Sequence, residues 1–192
     1  MRVFHLLIIF GFCFYGCNKA EKMKEKLFPE RPYETSKIDN FYWVDSDTEY
    51  KYIPLINPYY LKMSSKNNEN WTLDTNSKGI RMEFDNNLIS VISSIEPISN
   101  FNISNDYIYG KRNEYEGSSI PQYWYLYNTL EKSLKIFVKE SDFKAELKKL
   151  NLAEEFLNPD VVFEQYKNDP VLPWFPEDIK KQLEEVKKQK GN

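Results

Sequence analysis

The stretch YWYLYNTLEKSLKIFVKESDFKAELKKL, residues 123–150, contains the change of pattern that determines the fold class. Its first part holds two runs of aromatic and β-branched residues, YWYLYN and LKIFV, separated by a polar turn, which predicts paired strands. In its second part, Phe143, Leu147 and Leu150 recur at helical spacing, and Ser141 is the expected N-cap. The chain therefore changes from strands to helices within this stretch.

The same strand pattern extends back to Phe41, in short runs that lie about ten residues apart. It predicts an antiparallel meander sheet of about seven to nine short strands. Pro54 lies within one run, YKYIPLI, and because proline removes a ladder hydrogen bond, we expect a sheet edge or a bulge there. Towards the C-terminus, further helices are expected to begin at Asn158 and at Pro176. The prediction is an α+β fold, with two or three C-terminal helices packed on one face or end of the sheet.

Length and charge restrict the domain organisation and the class of partner. With 192 residues, the chain is long enough for one domain with a full core and short for two. Its 26 Lys and Arg residues are balanced by 29 Asp and Glu residues, which gives a formal net charge of −3. A nucleic-acid-binding protein normally carries a basic field, so this balance argues against nucleic acid as a partner.

The N-terminus carries a short apolar run that predicts a secretory signal. A basic residue precedes the run, which starts at Val3 and is shorter than the roughly 20 residues that a membrane-spanning helix needs. The run ends in Phe14-Tyr15-Gly16-Cys17, which resembles the lipobox of bacterial lipoproteins, where a small residue precedes the cysteine that is acylated. Gly16 supplies that small residue, whereas Phe14 and Tyr15 depart from the residues most common at their positions.

The resemblance implies a signal peptide at 1–16 and a mature chain that begins at Cys17 and carries acyl chains. Several acyl chains on one terminus give a stable membrane anchor. Asn18, where an aspartate would favour the inner membrane, implies the outer membrane of the bacterial cell envelope, on either its periplasmic or its surface face. Residues 17–40 then form a charged tether, and 41–192 form a single domain. The alternative is an apolar leader or membrane anchor without lipid.

Cleavage before Cys17 would remove much of the chain's catalytic chemistry. The only histidine, His5, and one of the two cysteines, Cys13, lie in the leader, and Cys17 is taken up by lipid. The mature chain then has no Ser-His-Asp or Cys-His arrangement and no histidine- or cysteine-based metal site. Its remaining glycines form neither a G-x-G-x-x-G turn nor a P-loop. We therefore expect a protein without cofactor or metal that is not an enzyme.

The most unusual motif is YWYLY, in which tyrosines alternate with Trp124 and Leu126. In a strand, Tyr123, Tyr125 and Tyr127 share one face. If Trp124 and Leu126 face the core, the three tyrosines form an outer stripe that binds a glycan by stacking or a protein as a hot spot. If helices cover that face instead, the tyrosines are packing between layers.

Two further segments have competing interpretations. Glu114 and Glu116 are the only close acidic pair with aromatic neighbours, and a glycosidase would need two carboxylates across a cleft. Solubilising residues of a loop are the simpler explanation, because nothing in the sequence fixes such a cleft. Between the second and third helices, Trp174 and Phe175 are expected to fill the sheet–helix interface, and the alternative is an exposed patch for a partner.

These observations predict three functions, in descending order. The first is a lipid-anchored, non-catalytic cell-envelope protein that binds a protein partner, and an immunity or inhibitor protein is one version of it. The second is a glycan-binding accessory lipoprotein that uses the tyrosine stripe. The third is a carboxylate-based glycosidase. No residue pattern identifies the partner or the ligand itself.

Overall fold

Ten strands precede three helices in the part of the chain that the structure, a computed structural model, describes, so the predicted α+β fold is confirmed. Ile38–Glu184 form one compact unit, and the end of the last helix, 185–190, belongs to a second unit. The described residues are 38–43, 49–64, 70–75, 80–83, 89–92, 94–114 and 120–190.

The strands are short, and every described pair of them is antiparallel. They are β1 (Tyr50–Pro54), β2 (Tyr60–Ser64), β3 (Thr72–Asp74), β4 (Ile80–Glu83), β5 (Ile89–Ile92), β6 (Ser94–Ile95), β7 (Ile98–Ser104), β8 (Tyr107–Arg112), β9 (Tyr123–Asn128) and β10 (Ser133–Phe137). The helices are α1 (Glu140–Lys149), α2 (Pro159–Asn168) and α3 (Glu177–Lys190), and a short 3-10 helix spans Asn40–Trp43.

The predicted meander is divided between two four-stranded sheets and a two-stranded ribbon. The first sheet has the order β1-β2-β3-β6, and the ribbon β4-β5 lies between β3 and β6 in sequence. The second sheet, β10-β9-β8-β7, is a continuous meander in which each strand pairs with the next in the chain. Pro54 lies in β1 at the edge of the first sheet, as predicted, where a missing amide leaves no central ladder unpaired.

Alternation in the first sheet places one row of aliphatic side chains on the inner face. Ile53 pairs with Leu61, Leu61 with Leu73, and Leu73 with Ile95. All four are completely buried, which is the arrangement that period-two patterning predicts for a sheet with one face on the core. The neighbouring side chain of Tyr59 meets Tyr127 of the second sheet, with ring centroids 5.3 Å apart.

The opposite face of the second sheet packs on α1. Trp124 of β9 stacks on Phe143 of α1, with centroids 5.1 Å apart and planes inclined by 21°. Leu126, Leu147, Tyr109 and Leu152 belong to the same buried cluster. The first sheet, the second sheet and α1 therefore form three successive layers. β9 belongs to the middle layer, so one of its faces meets the first sheet and the other meets α1.

The start signals of the helices are partly as predicted. Asn158 caps α2, because its Oδ1 accepts from the backbone amides of Asp160 and Val161 at 2.9 and 3.1 Å. For α1 the predicted cap is wrong: the N-cap position is Lys139, which makes no side-chain cap bond. Ser141 lies inside the first turn, and its hydroxyl donates to the Asp142 carboxylate at 3.2 Å.

The connector before α3 fills the interior, as predicted. Phe175 is buried and its ring meets that of Tyr42 edge to face, at 5.1 Å between centroids. Trp174 is partly buried, contacts Phe101 of β7 at 5.9 Å between centroids, and donates its indole N–H to the Pro54 carbonyl at 3.0 Å. The connector thus fastens β1 to β7, one strand from each sheet.

Candidate functional site

The predicted tyrosine stripe lies in β9 and is buried. Tyr123, Tyr125 and Tyr127 are 2%, 0% and 0% exposed. The expectation that they form an outer stripe is wrong, because both faces of β9 are covered, one by α1 and the other by the first sheet. The alternative interpretation, packing between layers, agrees with this burial, although a sheet rather than helices supplies the cover.

Tyr127 joins the two sheets. Its hydroxyl donates to the Thr75 carbonyl oxygen at 3.2 Å and is hydrogen-bonded to the Tyr59 hydroxyl at 3.2 Å. Burial, and then the bond to Tyr59, raises the pKa of Tyr127. The hydroxyl is therefore neutral at physiological pH and serves as an interior hydrogen-bonding group.

Tyr123, at the other end of the stripe, lies against the buried side chain of Arg112, whose guanidinium carbon is 5.5 Å from the ring centroid. Arg112 donates from Nε to the Glu96 carbonyl at 2.6 Å and from Nη1 to the carbonyls of Ile120 and Pro121 at 2.6 and 3.1 Å. Burial raises the pKa of Tyr123 to about 12, and the charge of Arg112 opposes that rise. These contacts fix the chain on both sides of the β8–β9 connection.

Tyr125, in the middle of the stripe, has a buried hydroxyl with no hydrogen-bond partner among the described residues. Its cross-strand neighbour is Gly110 of β8. A Cβ at Gly110 would collide with the backbone of Asn100 and Phe101 in β7, so the close approach of these strands requires glycine. Burial raises the pKa of Tyr125.

A different set of tyrosines reaches the surface, on the outer face of the first sheet. Tyr50 and Tyr52 of β1 and Tyr60 of β2 form this set, which we call the tyrosine face. Tyr50 and Tyr52 lie on the same face of β1, two residues apart. Tyr60 pairs with Pro54, which lies on that same face, so Tyr60 is diagonal to Tyr52 across the two strands. Tyr50 is 38% exposed, and the other two rings are partly buried.

The rings of the tyrosine face are in contact but not coplanar. Tyr52 and Tyr60 meet edge to face, with centroids 5.2 Å apart and planes inclined by 78°. Tyr50 and Tyr52 are 6.1 Å apart and inclined by 48°. Edge-to-face and tilted contacts of this kind are favourable, and each ring helps to hold its neighbour's orientation.

Charged and polar side chains continue this face across β2 and β3. Lys62, opposite Tyr52 in the register, lies 3.9 Å from the Asp74 carboxylate. Thr72 donates to the Glu96 carboxylate at 3.0 Å. Exposed ion pairs of this kind contribute about 0–1 kcal/mol, so the charges of a partner can replace them at little cost. The arrangement is an aromatic centre with a polar margin, which suits binding.

The sequence contains a signal for the tyrosine face in a shorter aromatic run than YWYLY. In YKYIPLI, Tyr50 and Tyr52 alternate with Lys51 and Ile53, so period two already places both tyrosines on one side. Ile53 is the completely buried member of that segment. The longest run, YWYLY, lies instead in an interior strand, where its aromatic side chains fill the core.

The remaining predicted groups contribute no further site in the described residues. Cys17, the signal peptide and Glu116 lie outside those residues, and Glu114 is exposed. Within the described ranges, no group of three or more His, Cys, Asp or Glu side chains is arranged to hold a metal ion. No helix among these residues is both long and apolar enough to cross a membrane.

Comparison with known proteins gives no relative. No protein-family model, curated protein or solved structure matches the chain. Its function must therefore be inferred from the residues and their geometry.

Proposed function

We propose that this protein is a lipid-anchored, non-catalytic component of the bacterial cell envelope that binds a protein partner through the tyrosine face. The observation that carries the proposal is the cluster of Tyr50, Tyr52 and Tyr60 at the surface of one sheet, bordered by Lys62. Tyrosine is enriched in protein-binding hot spots, because its ring supplies a large contact area with few rotatable bonds. One version of this function is an immunity or inhibitor protein.

The ring geometry favours a protein partner over a glycan. Sugar rings stack on aromatic faces that lie parallel to the bound chain. The inclinations of 78° and 48° between neighbouring rings prevent the three tyrosines from forming one such platform. A corrugated aromatic surface with a polar margin instead matches the side-chain relief of a protein interface.

The proposed anchor is supported by the sequence around Cys17. Intact-mass spectrometry of the protein from its native membrane tests it directly. We expect a chain that starts at Cys17 and carries acyl chains, and a Cys17→Ser variant that is released from the membrane because a single lost site removes every acyl chain. An unacylated chain that retains residues 1–16 would contradict the anchor and restore His5 and Cys13 to the mature protein.

The proposed partner is tested by affinity capture from detergent-solubilised envelopes. The wild-type protein is compared with a Tyr50→Ala, Tyr60→Ala double variant. The matched control is Val161→Ala, because Val161 is 67% exposed and lies on α2 rather than on this face. We expect one protein to be captured by the wild type and the control and to be lost from the double variant, with the melting temperature of the double variant nearly unchanged.

The same variants separate the competing outcomes. Retention of the wild type on envelope polysaccharide, lost in the double variant, would assign the tyrosine face to glycan binding. Equal capture by wild type and double variant would place the partner elsewhere on the molecule. Unfolding of the double variant would show that the tyrosines are core residues, and the proposal would then be wrong.

A further inference from the structure

The edge of β10 is a sheet edge that the described residues leave unpaired. β10 ends the second sheet, and its only strand partner is β9. The opposite edge of that sheet is bridged at its middle, because Phe101 of β7 and Leu157 exchange backbone hydrogen bonds at 3.0 and 2.8 Å. In the first sheet, β1 carries Pro54 and β6 has two residues. Along β10, alternate backbone amides and carbonyls thus point away from β9.

Apolar side chains follow this edge on one face. Leu134 pairs with Tyr127 and Ile136 with Tyr125, so both extend the buried tyrosine row to the margin of the sheet, where they are partly exposed. Val138, which directly follows the strand, is 49% exposed. An added strand with apolar residues at alternate positions would continue this row and bury it.

Lysines border the edge at both ends. Lys132 precedes β10 and Lys139 follows it; both are exposed, and neither has an ion pair among the described residues. Each neighbouring acid contacts a group other than these two lysines. The Glu131 carboxylate accepts from the Ser133 hydroxyl at 3.2 Å, and Glu140 pairs with Lys144 at 2.8 Å. Lys132 and Lys139 can therefore each form an ion pair with a carboxylate of a partner strand.

The central lysine of the strand is already paired. Lys135 donates to the Glu146 carboxylate of α1 at 2.7 Å, on the face opposite Leu134 and Ile136. That bond raises the pKa of Lys135 and lowers that of Glu146. Lys135 therefore lies against its own helix, on the face away from the apolar row.

From this edge we propose a second interaction site: β10 accepts an extended segment of another protein, with apolar residues at alternate positions and carboxylates at both ends. A second copy of this chain fits poorly, because antiparallel pairing of β10 with itself would bring the lysines of both copies along one edge, and like charges placed opposite one another are destabilising. The proposal does not depend on the tyrosine face, which lies on the other sheet.

The test uses the detergent-solubilised full-length protein and a synthetic peptide of alternating valine and threonine flanked by aspartates. Binding is followed by fluorescence anisotropy and by amide hydrogen exchange at residues 133–137. We expect the peptide to slow exchange of the outward amides of β10. It should also bind about threefold to thirtyfold more tightly than the same peptide flanked by lysines, as two exposed ion pairs allow.

Control molecules separate backbone pairing from simple charge attraction. A peptide with alternate N-methylated amides retains the aspartates but cannot pair, so we expect its binding to be lost. Lys132→Glu with Lys139→Glu should reverse the preference between the two flanking charges. Lys181→Glu with Lys188→Glu, matched charge reversals on α3, should leave it unchanged.

Three results would overturn the inference. The first is that the acid-flanked peptide does not slow amide exchange in β10 at its highest soluble concentration. The lysines would then serve only to prevent the edge from pairing with another strand. The second is that the N-methylated peptide binds as tightly as the unmodified acid-flanked peptide, which would mean that binding is due to charge attraction and not to backbone pairing. Protection of β10 that rises with protein concentration in the absence of peptide would make a second copy the occupant.

Discussion

Replacing Tyr125 by phenylalanine should stabilise the protein, although the side chain lies at the centre of the core. The hydroxyl is buried and has no hydrogen-bond partner among the described residues, so folding removes its hydrogen bonds to water without replacement. Leaving a buried hydroxyl unpaired costs about 1–3 kcal/mol. Tyr125→Phe removes that oxygen and leaves the ring in place, and we expect unfolding to require about 1–3 kcal/mol more.

Tyr127→Phe is the matched control, because it makes the same change two residues away on the same face. Its hydroxyl is hydrogen-bonded to Tyr59 and to the Thr75 carbonyl, both at 3.2 Å. These distances are long for O–H···O bonds, so we expect a loss in the lower part of the usual range of about 0.5–1.5 kcal/mol. The two variants should therefore shift stability in opposite directions.

Urea unfolding followed by tryptophan fluorescence measures both variants. With an unfolding slope typical of a domain this size, Tyr125→Phe should raise the midpoint by roughly 0.5–1.5 M and Tyr127→Phe should lower it. A lower midpoint for Tyr125→Phe would contradict this expectation, since it would mean that the Tyr125 hydroxyl has a stabilising partner such as a buried water.

Three further predictions concern the same layers. The pKa values of the buried tyrosines are raised in the folded state, to about 12 for Tyr123. Their stabilising contribution is therefore complete below about pH 10, where unfolded tyrosine ionises, and is lost as the pH rises through the folded pKa. Equilibrium unfolding between neutral and alkaline pH measures this loss, and a pH-independent midpoint above pH 10 would contradict it. Asn158→Ala should cost about 1 kcal/mol by removing the α2 cap, whereas Ser141→Ala, inside the first turn of α1, should change the urea midpoint little; equal losses would mean that Ser141 also caps. Gly110→Ala should cost more than about 3 kcal/mol, because its Cβ meets backbone atoms that cannot rotate away, and a folded variant of normal stability would show that β7 can move.

Local patterns in the sequence were sufficient to predict the class of fold. The change from period two to helical spacing after residue 139 predicted strands before helices, and the Asn158-Pro159 pair predicted the start of α2. Pro54 predicted an edge strand or a bulge, and the structure has the edge strand. Each of these signals affects only the structure of the residues next to it, through backbone geometry or a missing amide.

The division into two sheets and the burial of β9 depend on contacts between residues far apart in sequence. An alternating strand predicts that its two faces differ, but not whether the second face meets water or another layer. In YWYLY the side chains on both faces are large and apolar enough to be buried. The layer that covers the tyrosines includes Tyr59, which contacts Tyr127 although it lies 68 residues earlier in the chain. The tyrosines that reach the surface therefore lie in β1 and β2.

Photo-crosslinking from position 60 in the native envelope shows what the tyrosine face touches in the cell. A photo-reactive phenylalanine analogue replaces Tyr60, and the same analogue at position 161 serves as the control. We predict that position 60 becomes joined to one protein and that position 161 does not. Crosslinks from position 60 to lipid or polysaccharide alone, or an identical pattern at both positions, would contradict the proposal that this face binds a protein.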